Sequence, residues 1–333
     1  MFPIYKATEL AYHLGTSVAE LKSVLQSPSP YYEEFILLDP KKPGKERSVL
    51  SVKPPLQRWQ SRFYRNVLLN SLDPSEYSHG GRRGRSIKTN AEAHLSSRFV
   101  YKADISDFYP SIHDSRVFRL FHERYNCPPP VADLCSRLCT FKHHLALGLS
   151  TSPILADQLL RDVDDRIAAA CRHAGWVYTR YVDDITISAP HNLADAGVKS
   201  LIGSILRQHG FRLKGSKCEA GSNGDITITG VRIKDGHLDI AKEYAAELDR
   251  QLADALSLTH DGPFDGPYYT FGQLSGRVRF VCWVNARRST VITRKLSKLS
   301  PKKMMAHAAE RGFVCSKKRV VRPQRISDVR CRC

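Results

Sequence analysis

Between Tyr178 and Ser188 the chain reads Tyr-Thr-Arg-Tyr-Val-Asp-Asp-Ile-Thr-Ile-Ser. β-Branched and aromatic residues fill Val177–Tyr181 and Ile185–Ser188 and favour strands, and Asp183-Asp184 interrupts them where a hairpin would turn. Such a hairpin carries two carboxylates on a rigid tip. Mg²⁺ takes oxygen ligands from one or two carboxylates together with substrate phosphates, so the pair suits nucleotide chemistry. An ordinary hairpin with a solvated acidic turn has the same local sequence, because a short motif is weak by itself. The rest of the chain separates the two readings.

Charge is the first discriminator. Lys and Arg number 51 against 33 Asp and Glu, a net charge of +18. That excess implies a polyanionic partner, with nucleic acid ahead of a membrane surface because no amphipathic basic anchor is present. No stretch supplies the roughly 18 apolar residues of a membrane span. The N-terminus lacks the basic-then-apolar order of a secretory signal. Nine cysteines are scattered without CxxC spacing, which favours free thiols in a reducing cytosol over a zinc site. A cytoplasmic protein with two or three structural units is expected from 333 residues of this kind.

The first thirty residues read as helical, with Gly15 as a C-cap and Ser17 through Glu20 at capping-box spacing. Strands follow at Glu34–Leu38 and Arg47–Val52, joined by a turn at Asp39–Gly44. Lys41, Lys42, Lys45 and Arg47 make this hairpin basic. It is either a solvated loop or, beside a metal site, a holder for a triphosphate. Leu56, Trp59, Phe63 and Val67 mark a helix from Pro55 to Leu69. Ser78 to Ser86 is glycine-rich and basic, contains Arg82 and Arg85, and lacks the Lys-Ser/Thr ending of a P-loop. It fits a loop lying close to a nucleic-acid backbone. Thr89 to His94 reads as a helix, on which a lone histidine is more often a packing residue than a ligand.

The second acidic stretch is Phe99 to Ile112. A strand ends near Asp104, and Pro110 forbids continued pairing. An acid at a strand end followed by the aromatic Tyr109 suits a metal-dependent nucleotidyl site, while Asp107 reads as facing solvent. Ser152 and Pro153 then open a helix whose stripe is Leu155, Leu159, Val163 and Ile167, ended by Gly175. Asp162, Asp164 and Asp165 read as its solvated face. Helices are expected at Val198–His209 and Tyr244–Leu258, with strands at Ile226–Thr229 and Val231–Ile233, and a loop at His260–Pro267. From Arg287 to Arg325 there are 13 Lys or Arg and Glu310 is the only acid. Interleaved apolar residues favour folded helices with a basic face over a solubilising tail.

If their strands are neighbours in one antiparallel sheet, Asp104 and Asp183-Asp184 converge on a two-metal site. The Tyr-Val-Asp-Asp tetrapeptide resembles the central signature of reverse transcriptases. Asp104 to Tyr109 resembles their first palm motif, and Gly148 to Pro153 the motif beneath the template and incoming nucleotide. Asn90 to His94 resembles the NAxxH element of bacterial retron reverse transcriptases, and Ile228-Thr229-Gly230 their VTG element. The resemblance spans Arg47 to Lys217 and implies an α+β right-hand polymerase. N-terminal helices would occupy residues 1–30, fingers 31–98, palm 99–238 with a finger-like insertion near 113–147, and a basic helical thumb and tail 239–333.

The resemblance also assigns roles. Asp104, Asp183 and Asp184 become catalytic metal ligands, with Ile105 in the metal set, for two Mg²⁺ ions that Mn²⁺ can replace. Lys41 or Lys42, Arg47, Tyr109, Gly148 and Lys217 would meet the deoxynucleoside triphosphate. Arg82, Arg85, Asn90, His94, Thr229, Gly230, Arg287, Arg288, Arg294 and Lys295 would face RNA or template. Retron enzymes bind a cognate structured non-coding RNA and prime from a guanosine 2′-hydroxyl. They make a branched RNA-linked DNA, commonly in an anti-phage unit with a separate effector protein. The family usually has Gln where Leu147 stands and an aromatic where Gly81 stands. Another bacterial reverse transcriptase lineage and a silent RNA-binding scaffold are the alternatives.

Overall fold

The computed structural model describes residues 3–38, 46–193, 197–220, 225–259 and 269–310. Two short helices, α1 (Ala7–Leu14) and α2 (Val18–Gln26), open the chain. Gly15 ends α1 in the left-handed conformation, and the Ser17 hydroxyl accepts the Glu20 N–H to start α2. β1 (Tyr32–Leu38) and β2 (Glu46–Val52) form the expected hairpin. Its turn, with Lys41, Lys42 and Lys45, lies outside the described residues. α3 (Leu56–Arg62) runs through a wide turn at Phe63–Leu68 into α4 (Leu69–Ser71), burying Leu56, Trp59, Phe63 and Val67.

α5 (Ile87–Glu92) leads to β3 (Phe99–Ile105), and α6 (Asp114–Arg119) and α7 (Pro129–Cys139) build the insertion after it. α8 (Ser152–His173) precedes the acidic hairpin of β4 (Val177–Tyr181) and β5 (Asp184–Ala189). α9 (Val198–Gln208) and β6 (Leu213–Ala220) follow. A smaller sheet of β7 (Ile226–Ile228), β8 (Val231–Lys234) and β9 (His237–Ile240) comes next. The last described helices are α10 (Lys242–Thr259), α11 (Phe271–Val284), α12 (Ser289–Ser297) and α13 (Pro301–Glu310). The expected loop at His260–Pro267 and the tail beyond residue 310 lie outside the described residues.

The central antiparallel sheet has the order β4-β5-β3-β6. Because side chains alternate along β3, Tyr101, Ala103 and Ile105 point into the main core with Leu155, Val163 and Ile167 of α8 and Ile202 and Leu206 of α9. Val100, on the opposite face, belongs to a second core, which also holds Ala91, Ile226, Ile228, Leu274, Val278 and Met304. Asp104 therefore lies on the face away from α8 and α9. Residue 238 lies in β9, whose sheet shares this second core with Val100 of β3 and with the C-terminal helices.

Two sequence expectations are corrected here. The N-cap of α8 is Thr151, not Ser152, whose hydroxyl instead donates to the Ala146 carbonyl at 2.8 Å. Asp162 and Asp165 are exposed as expected, but Asp164 is fully buried. It lies next to Val163 at the margin of the apolar stripe, where the neighbouring strand supplies a cationic partner. The described cysteines, Cys127, Cys135, Cys139, Cys171 and Cys282, are free thiols. No helix among the described residues is long and apolar enough to cross a membrane.

Gly148 joins the β1–β2 hairpin to the rest of the fold. The Leu50 N–H donates to the Leu147 carbonyl at 2.8 Å, and Gly148, at φ 106°, lies so close that a Cβ would strike the Leu50 carbonyl. Only glycine meets both demands. Gly148→Ala is expected to lower stability by about 3 kcal/mol, from backbone strain and the clash together. Urea unfolding measures this, and an unchanged midpoint would show that the contact is dispensable.

Candidate active site

The register of the sheet brings the acids together. Asp104 on β3 stands directly opposite Asp184 on β5, and the Ile105 N–H donates to the Asp183 carbonyl at 3.1 Å. The side chains of Asp104 and Asp184 lie close enough to act on each other's charge. Burial pushes the Asp184 carboxyl up to about 7, with Asp104 and the Asp183 charge adding to the effect and Arg47 opposing it. Burial also raises Asp183, as does Asp104, while Arg47 and Lys214 pull it back. Arg47, exposed at the start of β2, thus acts on both acids of the turn. Tyr109, half-buried beside Phe108, is raised to about 12 by burial and by Asp183.

The turn itself is held from beneath by a residue that sequence reasoning left without a role. Arg180 is 2% exposed. Its guanidinium donates to Asp164 at 2.8 and 2.7 Å, to Asp157 at 2.8 Å, and to the carbonyl of Val182 at 2.8 Å. Burial works against its charge, and Asp164 and Asp157 more than restore it, so its pKa stands above the ordinary value. Tyr178 donates to Asp164 at 2.7 Å, completing the network. Val182 sits at φ 60°, a strained conformation for a β-branched residue. The bond from Arg180 fixes the carbonyl that follows this φ. An arginine two positions before an acidic turn, with acids spaced seven apart on the preceding helix, was the available signal.

Ser78 pairs in parallel with Arg180, and the His79 N–H donates to the Arg180 carbonyl at 2.7 Å, so the glycine-rich loop covers the edge of β4. Gly80 passes over the turn, where a Cβ would come 2.6 Å from the Val182 nitrogen. Arg82 donates to the Ser75 carbonyl, and Arg85 reaches His79 at 3.4 Å. Burial, then Arg85 and Arg82, lowers His79 to about 4, so its imidazole is neutral.

Two of the residues expected at RNA, His94 and Asn90, are turned inward. His94 is fully buried and lies within 2.5 Å of Ser188 Oγ and 2.7 Å of Thr179 Oγ1, so it ties β5 to β4 and does not reach RNA. Asn90 is also fully buried and donates to Thr229 Oγ1 at 3.3 Å. The two retron-like elements therefore meet each other inside the protein. Arg288 forms a two-pronged ion pair with Asp239, at 2.6 and 2.8 Å, and Lys295 pairs with Asp249 at 2.7 Å. Arg287 and Arg294 are exposed, as is Gly230, and Thr229 is half-buried in the turn between β7 and β8. Lys217 pairs with Lys102, two positions along β3 from the Asp104–Gly215 pair. Lys214, beside Gly215 at the bulge, is the lysine whose charge reaches Asp183.

The donor set fits a divalent cation: hard carboxylate oxygens whose mutual repulsion such an ion would relieve. Among the described residues no three His, Cys, Asp or Glu side chains form a ready metal cage. An acid on the middle strand facing an acidic hairpin turn, under a basic two-stranded finger, is the palm of a right-hand polymerase. The chain belongs to the reverse transcriptase (RNA-dependent DNA polymerase) family, whose model matches residues 40–233. The chain is also similar to retron reverse transcriptases. It is 27% identical to the retron Ec86 reverse transcriptase of Escherichia coli over 266 residues, covering 78% of this chain and 80% of that one. It is 29% identical over 252 residues to the retron Mx65 reverse transcriptase of Myxococcus xanthus, covering 69% of this chain and 59% of that one. The retron Mx162 enzyme of the same organism is 27% identical over 338 residues, 91% of this chain and 69% of that one.

Two predictions follow from these charges. Asp184 has its carboxyl raised in the fold, so the unfolded chain holds fewer protons and the metal-free protein loses stability as pH rises from about 4 to about 7. Asp184→Asn should remove that slope and raise the melting temperature of the metal-free protein at pH 8, read by calorimetry. Arg180→Met should cost about 3–5 kcal/mol by stranding two buried carboxylates. Adding Asp164→Asn should recover part of this loss in urea unfolding, which a simple packing role for Arg180 would not produce.

Proposed function

We propose that this reverse transcriptase binds a cognate structured non-coding RNA and begins DNA synthesis from the 2′-hydroxyl of a guanosine in it. The product is a branched, RNA-linked single-stranded DNA, and the enzyme serves an anti-phage defence unit together with a separate effector protein. The observation that carries the catalytic part is the facing pair of Asp104 and Asp184 at the end of the central strand. The retron part rests on the relatives and on the NAxxH-like and VTG-like elements packed against each other through Asn90 and Thr229.

Asp104, Asp183 and Asp184, with Ile105 beside them, would hold Mg²⁺, which supplies Lewis acidity and charge neutralisation for in-line displacement at a phosphate. The chain's own residues do the positioning. Arg47 meets the triphosphate of the incoming deoxynucleotide, since its charge already acts on both acids of the turn. Tyr109 lies against the sugar and excludes a ribose 2′-hydroxyl. The exposed Arg287 and Arg294 follow the RNA stem by its backbone and shape, because the A-form major groove is too narrow to read.

The test is to express the native locus and separate total nucleic acid on a denaturing gel. A discrete DNase-sensitive band that shifts on debranching is expected from the wild type. It should vanish in Asp183→Asn/Asp184→Asn, while RNA binding by the purified double variant stays near the wild-type level. Primer extension without a branched product would keep the polymerase and discard 2′-priming, and retained synthesis in the double variant would sink the metal-site assignment.

A further inference from the structure

Tyr109, the residue read above as lying against the sugar, stands on a short turn after β3. Asp107 bends that turn at φ 44°, in the left-handed region. The Ser111 hydroxyl donates to the Phe108 carbonyl at 2.7 Å, and the Ile112 N–H donates to the Tyr109 carbonyl at 3.0 Å. These bonds fix the backbone on both sides of the tyrosine. Its ring is left to its neighbours.

Those neighbours form a row. The ring centres of Phe108 and Tyr109 are 5.1 Å apart, those of Phe108 and Phe211 are 6.4 Å apart, and the Arg116 guanidinium stands 4.3 Å from the centre of the Phe211 ring. Phe211 is 1% exposed and Phe108 is 6% exposed. Arg116 comes from α6 and is itself half-buried, and a cation drawn out of water holds an aromatic face more strongly than an exposed one. The segment that carries Phe211 joins α9 to β6 and is tied at both ends. Arg166 of α8 donates to the Gln208 side chain at 2.8 Å, and the Ser106 N–H donates to the Arg212 carbonyl at 2.7 Å. Leu213 then pairs with Ile105, the residue after Asp104.

Rejecting a ribonucleotide by contact depends on a wall that does not give. An apolar surface discriminates only about a hundredfold against an analogue that adds one hydroxyl, and a ring free to shift would do worse. A close-packed interior resists such a shift and transmits the strain to the next side chain. We propose that Phe211, with Arg116 over its ring, is a positioning residue for Tyr109: it sets how far that ring recedes, and so how strongly deoxyribonucleotides are preferred over ribonucleotides. The inference rests on the sugar-facing reading of Tyr109. Phe211 acts through Phe108 and Tyr109, without touching the substrate.

The test is single-nucleotide extension by the purified full chain on a primed RNA template with Mg²⁺, comparing kcat/KM for dGTP and for GTP opposite cytosine. Phe211→Leu is expected to lower the preference for dGTP about tenfold by improving the use of GTP, while dGTP kcat/KM stays within about twofold of the wild type. Arg116→Met, at a half-buried position that threatens folding less, should lower the preference in the same direction, and Arg116→Lys should keep more of it. In a Tyr109→Ala background, where the preference is already reduced, Phe211→Leu should change the ratio no further. An equal loss for both nucleotides in Phe211→Leu overturns the proposal, since general destabilisation acts on both alike. So does a further, additive fall in the Tyr109→Ala background. If Tyr109→Ala keeps the full preference, the sugar-facing reading fails and the proposal falls with it. If Tyr109→Ala loses the preference and Phe211→Leu keeps it, the reading stands and the proposal fails.

Discussion

A buried arginine bound to two buried carboxylates is the constraint on which the rest of this structure depends. Burying charge is expensive unless every prong and every oxygen finds a partner. Arg180 meets that condition by bridging Asp157 and Asp164 on α8 and capping the Val182 carbonyl in the acidic turn. The backbone at Val182 is strained, and Asp183 and Asp184 are brought toward Asp104 against like-charge repulsion. Hydrophobic burial has no preferred direction and could not choose this backbone geometry over a relaxed one. A forked ion pair can, because its bonds are oriented.

The fold was legible in the sequence wherever local chemistry and periodicity agreed. The acidic hairpin, the strand ending at Asp104, the Gly15 cap and the stripe from Leu56 to Val67 could all be read directly. The grouping of the three aspartates was legible only on the condition that their strands are neighbours, which the pairing of β3 with β5 meets. Asp164 could not be read correctly. Its outward look came from helical spacing alone, and its burial depends on Arg180, a partner on the next strand that the spacing of the helix does not show. The ion pairs of Arg288 and Lys295 were not legible either: basic composition shows charge, while their acidic partners, Asp239 and Asp249, lie about fifty residues earlier.

His94 and Asn90 show a different limit. Their spacing marks a family element, and the expectation was a surface for RNA. In the fold they are joints. His94, lowered to about 3 by burial and then by the nearby His79, is a neutral bridge between β4 and β5. Asn90 connects α5 to the β7–β8 turn, and Ala91 beside it belongs to the second core. One short helix thus binds the catalytic hairpin to the C-terminal helices, and any surface for RNA must be built from the exposed residues around it.

The β1–β2 hairpin is anchored at its root and middle. Leu50 is tied to Leu147, Lys53 to the Tyr31 carbonyl, and Tyr32 packs on Phe141. Arg47 lies beyond the last of these ties. The palm holds this ribbon through the root of its second strand, so the placement of Arg47 over the acids is inherited from the close approach of Gly148 to Leu50.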